Sequence, residues 1–163
     1  VLEDTGNNLA GGVAIGQDSA STGAYSLAMG RHAFASGSTS MAIGYEASAN
    51  GNFAVAMGRN VTATGTSTAI GRHAVASNGG LAIGSQENDA SNDRTTASAK
   101  GAVAIGKNAN ATSEDAVAIG TNAQATLQGA VALGSGSTTA TGATSQGSTT
   151  INGITYNLSL IHI

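Results

Sequence analysis

The sequence is short of almost everything a layered globule is built from. It has no cysteine, which removes disulfides and thiolate metal ligands and leaves the redox compartment unreadable. Proline and tryptophan are absent too, and aromatic residues make up 3% of the chain. Leu, Ile, Val and Phe together fall below a fifth of the 163 residues, a poverty that signals disorder when charge is high. Charge is scarce as well, at 9% of residues and a net of −3, so self-repulsion does not hold the chain open. Six basic residues leave no electrostatic footprint for nucleic acid. No apolar run reaches the roughly 18 residues of a membrane helix, and no charged-then-apolar leader is present, so direct membrane contact by this segment is not expected. The abrupt ends, "VLEDTGNN" and "NLSLIHI", read as those of an excised fragment, with any anchor outside it.

What fills the space is alanine and glycine, arranged in a repeat. A word of the form x-Ala-[Ile/Met/Leu]-Gly ends at Gly16, Gly30, Gly44, Gly58, Gly71, Gly84, Gly106, Gly120 and Gly134, mostly fourteen residues apart. A second alternating word lies midway, as in "AFASG" (33–37), "ASANG" (47–51) and "AVASN" (74–78). Alternation with period two between Gly, Asn and Ser is a strand signal, and nothing sustains a helical period. Each repeat therefore reads strand, turn, strand, turn: one coil of a parallel β-solenoid. Nine coils at roughly 4.8 Å each stack to about 40 Å.

In the first strand of each coil the large residues share one side, as in Val13 and Ile15, Leu27 and Met29, or Val117 and Ile119. They are expected to fill the coil. The other side carries Ala14, Ala28, Ala42, Ala56, Ala69, Ala82, Ala104, Ala118 and Ala132, flanked by further small residues. A solvated column would have sampled Lys, Glu or Gln over nine coils. This one is expected to pack against identical subunits as the interface of a symmetric oligomer. In the second strand Ala33, Ala35, Ala47, Ala49, Ala109, Ala111, Ala123 and Ala125 are expected to face inward, while the outward places vary freely through Phe34, Asn50, Thr62, Val75, Asn110 and Gln124.

The words "GVAIG" (12–16), "SMAIG" (40–44), "AVAIG" (102–106 and 116–120) and "AVALG" (130–134) resemble the head repeats of YadA-like trimeric autotransporter adhesins. The resemblance covers residues 9–134. It implies an all-β, left-handed parallel β-roll assembled as a homotrimer. It also implies an adhesive role at the Gram-negative cell surface, on an outer-membrane anchor outside this fragment, with partners among collagen, fibronectin or other host matrix and cell-surface glycans. The polar residue that the family places before the word appears as Ser26, Ser40 and Ser67 and is Ala or Gly elsewhere.

Residues 1–8 read as a fragment edge, 9–134 as the repeats, 135–150 as a Ser/Thr/Gly-rich transition, and 151–163 as a β-hairpin opening a following module, turned at Asn152-Gly153. Residues 85–96, "SQENDASNDRTT", replace a short turn by a polar insertion, either a tolerated solvated loop or a contact with a ligand or neighbouring subunit. Its carboxylates lack the spacing of a calcium loop. Stacking places Arg31, Tyr45, Arg59 and Arg72 in one ladder, a candidate contact for acidic or sulfated polymers or a solvated row of turn residues. His32 and His73, in identical "GRHA" words three coils apart, read as turn residues. No nucleophile elbow, HExxH or phosphate loop occurs, so no catalytic, cofactor or metal residue is assigned and an enzyme is not expected. A hexapeptide acyltransferase would need coils of about eighteen residues, and an ice-binding solenoid an even threonine ladder. The column Thr22, Ser36, Asn50, Thr64, Ser77, Thr112 and Thr126 is too mixed for the latter.

Overall fold

The computed structural model describes residues 11–85, 93–139, 148–151 and 154–157. Over the repeats, one parallel sheet holds nine three-residue strands, from Val13–Ile15 to Val131–Leu133, and a second holds eight two-residue strands, from Ala20–Ser21 to Gln124–Ala125. The chain alternates between the sheets, so each strand pairs with its equivalent one coil later. Val13 lies beside Leu27, Ala14 beside Ala28 and Ile15 beside Met29. Backbone hydrogen bonds run along the stack: Gly30 N–H donates to the Ile15 carbonyl at 2.8 Å, and Ala20 N–H to that of Ala33 at 2.8 Å. The solenoid expected from the period is present.

Its faces are reversed in the first sheet. Ala28, Ala42, Ala56, Ala69, Ala82, Ala104 and Ala118 are 0% exposed, and Ala132 is buried as well. They line the inside of the coil, opposite the sequence expectation, together with Ser26, Ser40, Ala54, Ser67, Ala102 and Ala116 one pleat away. The Val, Ile, Leu and Met residues that were expected to fill the coil point outward. The physical reason is coil width. Turns of only a few residues join the two sheets, and the interior between them is lined almost wholly by alanine and serine, so a layer of Val and Ile from one sheet would overfill it. The second sheet is as expected, with Ala33, Ala35, Ala47, Ala49, Ala109, Ala111, Ala123 and Ala125 all fully buried.

The turns are specified by two constraints. Gly30 has φ 135°, and a Cβ there would collide with the carbonyl of Gly44 one coil on. Gly37 has no unusual φ but lies so close to the Gly51 carbonyl that no side chain fits. Two residues after the first-sheet glycine the backbone is left-handed at Asp18, His32, Glu46, Asn60, His73, Asn108, Asn122 and Gly136. Asn, Asp and His tolerate that region best. The "GRHA" histidines are therefore turn formers.

Departures from the fourteen-residue period are absorbed in the turns. The short coils preceding Thr68 and Leu81 keep the register, with Val55 beside Thr68 and Thr68 beside Leu81, by shortening the turn that carries Gly65 and that which carries Asn78 and Gly79. After Ile83 the second sheet resumes at Thr96–Ala97. Thr95 is fully buried in the place that Ala74 and Ala109 take in neighbouring coils, and its hydroxyl donates to the Gly106 carbonyl at 2.7 Å. Thr95 and Thr96 are thus solenoid residues, and the insertion expected over 85–96 is shorter at that end. Glu87 and Asp89 lie outside the described residues. The stack also runs past Gly134: Gly136 N–H donates to the Thr121 carbonyl at 2.8 Å, Gln124 N–H to that of Ser137 at 2.8 Å, and Thr138 bridges to Gln124. Strands Ser148–Ile151 and Ile154–Asn157 pair antiparallel with Ile151 beside Ile154, which is the expected hairpin begun three residues early. Its Asn152-Gly153 turn lies outside the described residues.

Candidate interaction surfaces

With alanine inside, the first sheet shows water a continuous apolar face. Each of its nine strands contributes two outward side chains, and Thr68 is the single polar member among them. At the ends of the stack Val13, Ile15, Val131 and Leu133 are exposed, Leu133 to 71%, and Met29 and Met57 are exposed within it. The face is about 40 Å long at the usual strand spacing. A monomer rarely leaves so large an apolar strip uncovered, and one interrupted by a single threonine in nine strands marks an interaction site. Of the alanine ladder offered from the sequence as the trimer interface, Ala28 to Ala132 have no surface left to give a neighbour, since their own chain encloses them, and Ala14 in the end coil is half-buried.

Two edges border this face. On the exit edge, just after the strand glycine, the ladder residues do stack. The guanidinium carbon of Arg31 lies 5.6 Å from the centroid of the Tyr45 ring and that of Arg59 lies 5.7 Å from it, so the ring sits between two cations. His32 meets the same ring edge-on at 6.3 Å, and its Nδ1 lies 3.8 Å from an Asp18 carboxylate oxygen. Arg72 continues the column in the next coil. Tyr45 was legible as a ladder member, but its role as a spacer between arginines was not, because side-chain stacking is invisible in a one-dimensional period.

On the entry edge, just before the strand, stand two residues the sequence reading passed over. Tyr25 and Phe53 are 70% and 64% exposed, and both have left-handed backbones, with φ of 57° and 60°. Bulky side chains seldom adopt that region. The signal in the sequence was their place immediately before "SLAMG" and "AVAMG", where the other coils have Thr, Gly or Asp.

Elsewhere the polar surface is bound up in rungs between coils. Lys100 Nζ pairs with Glu114 Oε1 at 3.3 Å, Asn108 Nδ2 donates to Asn122 Oδ1 at 2.9 Å, and Ser38 N–H donates to Asn52 Oδ1 at 3.0 Å. Among the described residues no three of His, Asp and Glu gather as a metal site, and no helix long and apolar enough to cross a membrane occurs.

The YadA head domain repeat matches residues 10–33, 35–60, 93–109, 97–123 and 111–137, together more than half of the chain. The chain belongs to the YadA head family. Within the solenoid the long gap between matches, 61–92, holds the two shortened turns and most of the insertion, yet the strands on both sides of it belong to the same two sheets. No individual curated protein matches the chain. A YadA-family head is a surface-protein adhesin module, and both the membership and the solenoid point away from enzymatic chemistry.

Proposed function

We propose that this YadA-family head works as a homotrimer at the surface of a Gram-negative cell, attaching it to host extracellular matrix or host cells. The observation that carries the assembly is the outward Val, Ile, Leu and Met face of the first sheet. Fully burying such a side chain is worth about 1.5–3 kcal/mol, so the last third of one contributes about 0.5–1 kcal/mol. Repeated over nine strands, that is an ample drive for association, and three copies closing around one axis would cover the face of each. The alanine column then serves the protomer core, and the interface passes to Val13, Ile15 and their equivalents.

Attachment follows from what such an assembly leaves outside. The second sheet's outward column, through Phe34, Asn50, Thr62 and Val75, would look away from the axis on all three chains. Collagen, fibronectin or surface glycans would meet many shallow sites at once, and their affinity would come from effective concentration rather than from a deep pocket. Sedimentation of the purified head, with retention of head-coated beads on collagen, fibronectin and glycan surfaces, tests this reading. A trimer that retains beads on at least one surface, and loses retention when dissociated, is the expected result. A folded monomer in solution, or a trimer that adheres to none of them, would overturn it.

A further inference from the structure

The geometry points to a specific joint between copies of this chain: the exposed rings of Tyr25 and Phe53 on the entry edge of one protomer pack on the guanidiniums of Arg31 and Arg59 on the exit edge of the next. The inference rests on the trimeric reading above and deepens it.

A sheet whose outward face is covered by two further copies becomes one wall of a three-sided prism. At each corner the entry edge of one wall meets the exit edge of its neighbour, because a closed ring is head-to-tail. Rotation about an axis without translation keeps every coil at its own height, so residues meet level by level. Tyr25 and Arg31 flank the same strand, Leu27–Met29. Phe53 and Arg59 flank Val55–Met57, two coils on. In the coil between, Thr39 faces the level of Tyr45. Closure therefore sets ring against guanidinium at two levels and threonine against ring at the level between.

Three features of the molecule converge on this pairing. Tyr25 and Phe53 are held out by a left-handed backbone that bulky residues avoid, while being the most exposed rings among the described residues. Both border the apolar face, so the contact continues the surface already argued to be covered. Arg31 and Arg59 are held in place by Tyr45 at 5.6 and 5.7 Å, and a planar guanidinium offers a second face to a second ring. Glu46, exposed beside Tyr45, and Asp18, near His32, are the acidic groups beside this ladder among the described residues.

The absence of cysteine makes the test clean. A Tyr25→Cys, Arg31→Cys variant treated with a short thiol-specific cross-linker should give covalent trimers on a denaturing gel, and so should Phe53→Cys with Arg59→Cys. Within one chain the two positions lie on opposite edges of the sheet, with the strand Leu27–Met29 between them, and each double variant diluted into an excess of unmodified chain reports any link within one chain as an unshifted monomer band. The mismatched pair Tyr25→Cys with Arg59→Cys, displaced by about 10 Å along the stack, should link far less. Each single variant should stay unlinked. Single variants that link to themselves would reveal a two-fold contact and overturn the head-to-tail corner. Double variants that stay unlinked, in a protein that light scattering finds trimeric, would refute the corner and leave the trimer standing. Light scattering of a monomer would instead remove the trimer itself. Finally, if Arg31→Gln with Arg59→Gln abolished salt-sensitive retention on heparin while linkage at the Phe53 level of a Tyr25-intact chain stayed absent, the edge would belong to an acidic ligand.

Discussion

Two neighbouring residues, Val117 and Ala118, should answer the same substitution in opposite ways. Ala118 is 0% exposed, and its ladder neighbours Ala104 and Ala132 are buried like it, so glutamate at 118 must enter a space shaped for methyl groups. Even protonated, an unpaired carboxyl there costs roughly 2–7 kcal/mol, to which overpacking adds about 1–3 kcal/mol. A total near the whole stability of a domain, about 5–15 kcal/mol, predicts loss of the fold. Val117 points outward. Glutamate there leaves the coil interior untouched and places three carboxylates in the assembled face, each carrying a desolvation cost of several kcal/mol. If about 4 kcal/mol of it survives as lost association, trimerisation weakens about a thousandfold. Circular dichroism and light scattering on both variants read the difference: Val117→Glu should be a β-rich monomer, Ala118→Glu an unfolded or aggregated chain. A folded monomer from Ala118→Glu would restore the alanines to the interface and refute the orientation argued here, and so would an undisturbed trimer from Val117→Glu.

Other consequences test the turns and the interior. Gly37→Ala should lower thermal stability by about 3 kcal/mol or more, because its Cβ would run into the Gly51 backbone, whereas Gly129→Ala, at φ 65° with open space around it, should cost about 1–2 kcal/mol. Asp115→Asn should leave the melting temperature nearly unchanged and Asp115→Val should cost about 1–2 kcal/mol, since a branched side chain resists the left-handed backbone; equal effects would mean that the carboxylate itself matters. The Ser40 hydroxyl is buried without a hydrogen-bond partner while that of Ser26 donates to the Gly23 carbonyl at 2.7 Å. Ser40→Ala should therefore be neutral or stabilising by up to about 1 kcal/mol, and Ser26→Ala destabilising by about 1 kcal/mol, in denaturant titrations.

The sequence made the period, the two strands per coil and the stacking register legible, because glycine recurs wherever neighbouring coils press backbone on backbone. It also marked the inward side of the second strand, where drifting polar residues betray solvent on the other. What it left undecided was which side of "AVAIG" faces in. Period two sorts residues into two faces without saying which is buried, and the habit of placing the larger residues inside fails when the interior is narrower than a valine-isoleucine layer. A clue was present: the second strand offers only Ala33, Ala35 and their equivalents to the interior, and a cavity walled by alanine on one side in so short a coil has little room on the other. The invariant Ala14 to Ala132 column reflected a steric limit within the chain, which from a single sequence looks the same as a limit set by a neighbour. The Arg31, Tyr45 and Arg59 ladder followed from the period, whereas Tyr25 and Phe53 stood out only once exposure and backbone angle were known.

The direction of the hydrogen bonds has a mechanical consequence. They lie along the stack, as from Gly30 to Ile15 and from Gly136 to Thr121, so a pull along the axis loads them end-on, one coil at a time, rather than shearing a whole sheet together. Each detached coil of about fourteen residues would pay out roughly 45 Å of chain, in steps of equal size except at the shortened turns and the insertion. Under flow, such a column yields by lengthening in regular increments and can rewind when slack returns, since every rung is a local contact between successive coils.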